Sequence, residues 1–299
     1  MRAAQVALSV LCAGAAAGCG SATHTVTVTA KRATLAPKAI GVAPSRLRVG
    51  VVGALDVAPA PGTSVARLSG LAAVPAYPLV LVSAQAAEVA AVAATARQHP
   101  SSHYVYVGGS VKGHHRSNLV GIVLNDAQAA RLGGVVAGLV AQEQGGLDAR
   151  VAWVGPQEEP LAAAFAQGTQ SVQSGTTVLR AWSSDRPAAC KEAALGAIAR
   201  GAVVVMAHGG MCADAAIAGA HQQNRAGLRI SDFELTNVPL GVVLSDAVAG
   251  VYRGAEDIVF GASSGAVAIR HLDPRISADV AVRARAAAQQ LSSGLRPSG

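Results

Sequence analysis

The side chains able to do chemistry in this 299-residue chain fall into a few short groups. Gly261-Ala262-Ser263-Ser264-Gly265 matches the Gly-x-Ser-x-Gly pattern of a serine nucleophile, which needs a strand before it and a helix after it. Residues 246–260 read instead as a helix, so the match reads as a helix-ending loop. His103 with His114-His115 raises the question of a metal, but the pair lies in the polar stretch 112–118 with no nearby carboxylate or cysteine, and a surface loop is the better reading. Glu158-Glu159 before Pro160 is what a helix N-terminus favours through its dipole. Neither a phosphate loop nor a His-Glu-x-x-His helix is present. The chain therefore reads as a non-enzyme with no cofactor and no metal.

Glycine pairs at strand ends point to binding. Gly108-Gly109 follows the apolar run 104–107, and Gly209-Gly210 follows 202–206 with His208 just ahead of it. In parallel α/β sheets ligands sit beyond the carboxyl ends of strands, where glycine lets backbone N–H groups approach. A tight strand-to-helix turn explains the same glycines, and His208 reads equally as a cleft residue or a hydrogen-bonded structural one.

The cysteines report on location. Arg2, an apolar stretch over residues 3–17 and Ala16-Ala17-Gly18-Cys19 have the order of a lipoprotein signal, cut before Cys19. Cys12 is the competing site, but the bulky Leu11 before it suits cleavage poorly. Residues 1–18 thus read as a signal peptide and 19–45, rich in Thr, Ala, Lys and Pro, as a lipid-anchored tether. The alternation Thr25-Val26-Thr27-Val28-Thr29 also fits an edge strand. Cys190 and Cys212 then remain as a pair on the oxidising side of the membrane. A disulfide between them would require Cys212 to reach back from a loop, because the two helix starts are expected towards opposite ends of the sheet. Two free buried thiols are the alternative.

The elements that must position these groups alternate from Arg46 onward. Apolar strands are expected at 47–52, 79–82, 104–107, 119–123, 150–154, 177–181, 202–206, 228–230 and 241–244. Helices are expected at 84–97, 126–142, 161–172, 188–200, 213–223, 246–260 and 278–291, the fourth with Asp185 as N-cap, Pro187 in its first turn and Gly201 at its end. Continuous apolar strands suit sheets covered on both faces, so the fold class is α/β with mostly parallel sheets. Hydrophobic content of 51% with 3% aromatic residues means a core of Ala, Val and Leu. The net charge of +7 is scattered, without the basic stripe and stacking aromatics of a nucleic-acid binder. It reads as a solvated surface, or as a bias towards anionic lipid.

In order along the chain, residues 118–139 (NLVGIVLNDAQAARLGGVVAGL), 189–195 (ACKEAAL), 207–212 (AHGGMC) and 248–252 (VAGVY) resemble the basic membrane lipoprotein (BMP) family of ABC-transporter substrate-binding proteins. The resemblance implies a type I periplasmic-binding fold, two three-layer αβα lobes hinged around a cleft, with nucleosides as the usual ligand class and an ABC permease as partner. It also implies a ligand contact at Asp232. The chain departs from the family in three places. Residues 53–78 leave little room for the family's helix and second strand. Gly108 stands where Asp is common, and Ser245 where Lys is usual. These losses remove polar anchors that orient a ligand.

The sequence thus predicts an extracytoplasmic solute-binding lipoprotein of an ABC importer, lipidated at Cys19. The domain spans residues 46–299, with one lobe at about 46–124 plus a C-terminal crossover segment and another at 125–245. A small polar ligand would sit between loops carrying Ser83, Gly108, Gly109, His208, Gly209, Gly210 and Asp232. A degenerate binding fold serving as a membrane-anchored sensor or interaction module is the alternative.

Overall fold

The computed structural model describes residues 46–293 apart from Leu147, Asp185 and Thr236. The expected cleavage site, Cys19, the tether and the Asp185 cap lie outside the described residues. Among those described, no helix is long and apolar enough to cross a membrane.

The chain forms two parallel sheets. Strands β1 (Leu47–Val52), β2 (Thr63–Leu68), β3 (Leu79–Ser83), β4 (His103–Val107) and β5 (Leu119–Leu124) come first, with helix α1 (Val89–Gln98) between β3 and β4. Helix α2 (Asp126–Gln144) then leads to β6 (Arg150–Gly155), α3 (Glu159–Val172), β7 (Thr177–Trp182), α4 (Pro187–Ala199), β8 (Ala202–Ala207), α5 (Gly210–Gln222) and β9 (Ala226–Arg229). Helix α6 (Asn237–Val248), β10 (Asp257–Phe260) and α7 (Ala278–Ser292) complete the fold. The first sheet has the order β10-β5-β4-β3-β1-β2 and the second β7-β6-β8-β9. Every pairing between named strands is parallel, so all strand carboxyl ends in a sheet share one edge.

Both faces of each sheet are covered, which is why β3 and β8 are buried along their whole length rather than alternating. In the first lobe Val92, Ala93 and Ala96 of α1 cover one face, and Leu240, Val243, Leu244 and Ala247 of α6 the other. In the second, α2, α3 and α7 cover one face around Trp153 and Phe165, and α4 and α5 the other.

Several expectations change. Residues 241–244 are helical: the β-branched run reads as a strand, yet Leu240, Val243, Leu244 and Ala247 are buried at helix spacing. The helix expected over 246–260 ends at Val248, and its last four residues form β10. Because α6 packs in the first lobe's core, residues 237–245 belong with that lobe rather than with the second. The short segment 53–78 does contain the second strand, β2; a 3₁₀ turn at Leu71–Ala76 follows it, and no α-helix stands between β1 and β2.

Cys190 and Cys212 are joined by a disulfide, with Cα atoms 5.3 Å apart, and both are buried. The expected obstacle was misplaced. In successive parallel strand–helix units each helix starts beyond a strand's carboxyl end, so α4 and α5 both begin at the same edge of the second sheet.

Candidate functional site

Three crossovers link the lobes. Leu124-Asn125-Asp126 runs from β5 into α2, Glu234-Leu235 lies on the way from β9 to α6, and Phe260-Gly261-Ala262 leaves β10 towards α7. They are stitched together. The Asn125 N–H donates to the Phe260 carbonyl at 2.9 Å, and the Leu235 N–H to the Ala266 carbonyl at 2.8 Å. The Ala262 N–H donates to Gln128 Oε1 at 2.7 Å. Asn125 Oδ1 also accepts from the Gln128 N–H and caps α2.

Near these crossovers lie the carboxyl-edge loops of both sheets. In the first lobe Ser83 ends β3, buried, its Oγ accepting from the Gln85 N–H at 3.3 Å. Gly108 has φ +81 and open space where a Cβ would point, whereas Gly109 packs on the Tyr106 ring. The loop they begin is held by Asp257 of β10, which accepts from Ser110 Oγ at 2.5 Å and the Val111 N–H at 2.7 Å. Gly121 leaves the room this requires, since a Cβ there would fall 2.1 Å from Asp257 Oδ1.

In the second lobe His208 follows β8, its N–H donating to the Val154 carbonyl at 3.0 Å. Its ring stacks over Trp153, and Nε2 lies 3.3 Å from Oε2 of Glu158, which precedes α3. Gly209, with φ +91, caps α5, and Gly210 begins it. The disulfide sits beside this loop, one residue after Met211, and Cys190 Sγ contacts the Ser184 carbonyl beyond β7 at 3.1 Å.

Asp126 and Glu234 add an acid pair from two different crossovers. Asp126 lies within electrostatic reach of Glu234, His208 and Glu158. Burial, reinforced by the neighbouring Asp126, pushes Glu234 up to about 8. Desolvation by the surrounding protein raises Asp126 as well, although its side chain reaches solvent, and His208 opposes the rise. Asp126, Glu158, His208 and Glu234 thus form one polar cluster where the first lobe hands over to the second.

The structure sorts the sequence-derived residues accordingly. His208 belongs to this cluster, and Gly209 and Gly210 shape its loop. Ser83, Gly108 and Gly109 line the first sheet's carboxyl edge. Asp232 stands apart: its buried carboxylate accepts from the Arg229 N–H at 2.7 Å and its carbonyl from the Arg270 N–H at 2.7 Å. Burial raises its carboxyl despite the Arg229 N–H and charge.

The acid residues carry signals that spacing alone does not show. Asp126 passes for an ordinary helix start, Glu158 for a dipole partner and Glu234 for a loop residue. The seryl motif at 261–265 follows strand β10, not a helix, but what comes next is a three-residue 3₁₀ turn in which Ser264 Oγ bonds the Gly261 carbonyl. The histidines of the metal question lie apart in their contacts, His103 on the Tyr252 ring and His115 on the Ala255 carbonyl. Among the described residues no group of His, Cys, Asp and Glu could hold a metal.

No protein-family model and no curated protein matches the sequence. Solved structures do resemble the fold. An ABC transporter system solute-binding protein from Conexibacter woesei DSM 14684 aligns with TM-score 0.59 and 17% identity over 84% of this chain and 98% of its own. One from Aeropyrum pernix K1 aligns with TM-score 0.54 and 15% identity over 83% and 92%. A transcriptional activator of the comK gene from Bacillus halodurans aligns with TM-score 0.60 and 12% identity over 84% and 99%. The chain therefore has the two-lobed α/β fold of type I periplasmic-binding-like proteins.

Proposed function

We propose that this chain is an extracytoplasmic solute-binding lipoprotein of an ABC importer, anchored through Cys19, that binds a small polar ligand between its lobes and presents it to a permease. The observation that carries the reading is the hinge: three stitched crossovers gather the carboxyl-edge loops around Gly108 and His208 and the acid pair Asp126–Glu234. Two lobes joined this way can close on a ligand, which changes the surface a partner reads. The fold is shared with two proteins described as ABC transporter solute-binding proteins, and the buried disulfide suits an oxidising compartment. The resemblance to BMP proteins favours a nucleoside-type ligand.

A second reading, a binding fold retained as a membrane-anchored sensor or interaction module, draws on the missing helix between β1 and β2. The same fold also occurs in a transcriptional activator.

A thermal-shift screen of the purified chain against nucleosides, bases, sugars and amino acids separates the two. A ligand present at a hundred times its Kd adds about 2.7 kcal/mol to stability, which is a rise in Tm of roughly 5 to 10 °C for a domain of this size. A shift with a nucleoside supports the full proposal, and a shift with another class redirects the ligand. A folded protein that responds to none of them sinks the transport reading in favour of the interaction module.

A further inference from the structure

The edge of the first sheet away from the hinge carries arginines. Because every strand pairing in this sheet is parallel, the chain arrives at that one edge before each strand. Arg46 immediately precedes β1, Arg116 precedes β5, Arg253 lies on the way from α6 to β10, and Arg97 is in the last turn of α1, on the way to β4. All four are exposed. β1 and β10 are separated by three strands, so the arginines are spread over an edge of about 20 Å. Among the described residues none of the four enters an ion pair or a side-chain hydrogen bond, and the ion pairs present lie in the second lobe. Asp246 in the last turn of α6 and Glu256 ahead of β10 share this edge, and neither pairs with an arginine.

The loops that carry these charges are fastened to one another. Asn118 is buried, and its Nδ2 faces the carbonyls of Ala96, His99 and Ser102 at 2.8, 3.2 and 2.9 Å, which ties the end of α1 to the starts of β4 and β5. His115 Nδ1 lies 2.9 Å from the Ala255 carbonyl, and the Ala255 N–H donates to the Leu119 carbonyl at 2.8 Å. Gly254 rests on the Ser117 carbonyl, where a Cβ would fall 2.1 Å from the oxygen. The backbones under Arg97, Arg116 and Arg253 are therefore already in place, and a partner would have to order side chains only. Beside Arg46, the Leu47 N–H donates to the Gly62 carbonyl at 2.7 Å, and a Cβ on Gly62 would touch Val248, an apolar side chain that is 47% exposed. An apolar group next to cations suits the boundary between lipid head groups and acyl chains.

We propose that this edge of the first lobe docks on the surface of an anionic phospholipid bilayer, with Arg46, Arg97, Arg116 and Arg253 on lipid phosphates and Val248 against the lipid. A guanidinium presents a planar fork of N–H donors that matches phosphate oxygens. A nucleic acid would find the charge but no stacking platform, because Tyr104 and Tyr252 behind this edge are buried. The chain reaches the same edge at Arg46, so the anchorage proposed at Cys19 would bring this edge to the membrane before any other part of the domain. Docked in this way, the lobe turns its carboxyl-edge loops away from the bilayer. That last consequence matters for solute capture only on the proposed binding function, whereas the docking surface itself needs neither a ligand nor an anchor.

The test uses the full chain with Cys19→Ser, so that no acyl chain contributes, sedimented with vesicles of phosphatidylcholine alone or of phosphatidylcholine and phosphatidylglycerol in equal parts. Binding is expected to favour the mixed vesicles and to weaken as salt is raised. Arg116→Gln combined with Arg253→Gln should weaken it about 25-fold, at about fivefold for each charge removed from an anionic surface. Arg67→Gln combined with Arg285→Gln removes the same charge from exposed sites on β2 and α7 and should cost less than about threefold. Amide hydrogen exchange should slow at residues 112–117 and 249–256 on the mixed vesicles and stay unchanged at 208–214. Equal binding to the two kinds of vesicle, or to neither, would overturn the proposal. So would an equal loss in the two double variants, or protection that leaves residues 112–117 and 249–256 untouched. The substituted arginines are exposed and unpaired, so an unchanged Tm is expected, and Arg46→Gln with Arg97→Gln repeats the test if the first pair unfolds.

Discussion

Asp273 is almost sealed from solvent and spends both oxygens. Oδ2 accepts from the Gly227 N–H at 2.8 Å and lies 2.5 Å from His221 Nε2, while Oδ1 accepts from the Arg275 N–H at 2.9 Å. Burial alone would raise its carboxyl, but the Gly227 and Arg275 N–H groups and His221 outweigh it and hold the group below 3.8. A carboxylate depressed in the folded state contributes stability above its unfolded value and loses it as pH falls through the folded one. Asp273→Asn is therefore expected to lose about 3 kcal/mol at pH 7 in urea unfolding, with the gap to wild type closing below pH 3.8. Glu234 has the opposite sign. Its folded value is raised from 4.5 to about 8, so the folded chain is penalised progressively as pH climbs through that window and fully above it. Glu234→Gln should match wild-type Tm near pH 5 and exceed it at pH 9. The site is hard to read in sequence for the same reason these two carboxylates are: Asp126, Glu158, Glu234 and His208 are far apart along the chain, and only the crossovers bring them together. The glycines at 108–109 and 209–210 are legible because a strand end followed by Gly-Gly is a local pattern.

Helices α2 and α3 meet backbone to backbone. A Cβ on Gly134 would lie 2.1 Å from the Phe165 carbonyl oxygen, one on Gly168 would lie 2.0 Å from that of Arg131, and one on Gly138 2.7 Å from that of Thr169. Backbone cannot swing aside as a side chain does, so Gly134→Ala or Gly168→Ala must push the helices apart, at about 3 kcal/mol each by denaturant unfolding. Gly196 in α4 is the internal control. A Cβ there meets nothing, and Gly196→Ala should stabilise by about 0.5–1 kcal/mol through the more restricted unfolded chain. A loss at Gly196 equal to that at Gly134 would contradict the seam. Elements as a class were legible where burial on both faces makes a strand uniformly apolar: β1, β3, β6 and β8 announce themselves in LRVGVV, LVLVS, RVAWVG and AVVVMA. The edge strands were not. β2, TSVARL, is only partly buried, and β10 has four residues with Val259 largely exposed, so neither carries a core strand's signature. Val242-Val243 misled in the other direction, because β-branched residues favour strands locally while packing on the first sheet selects a helix.

At the scale of the whole molecule the argument turns on the crossovers, because each lobe has its own two-faced core and the chain passes between them three times. Closely tied crossovers constrain the relative motion of such lobes to a hinge rather than a free swing. The ties are unequal. Gln128 and Asn125 fasten the first crossover to the third through neutral hydrogen bonds, while the second is tied to the chain just after the third by the Leu235 N–H and the Ala266 carbonyl. A ligand that binds between the lobes must favour the closed arrangement by more than it favours the open one, or it moves nothing. Small-angle X-ray scattering of the purified chain should then show a smaller radius of gyration when a ligand found by thermal shift is saturating. A radius that no ligand alters would describe two lobes locked in one arrangement, the behaviour expected of an interaction module rather than of a carrier that opens and closes.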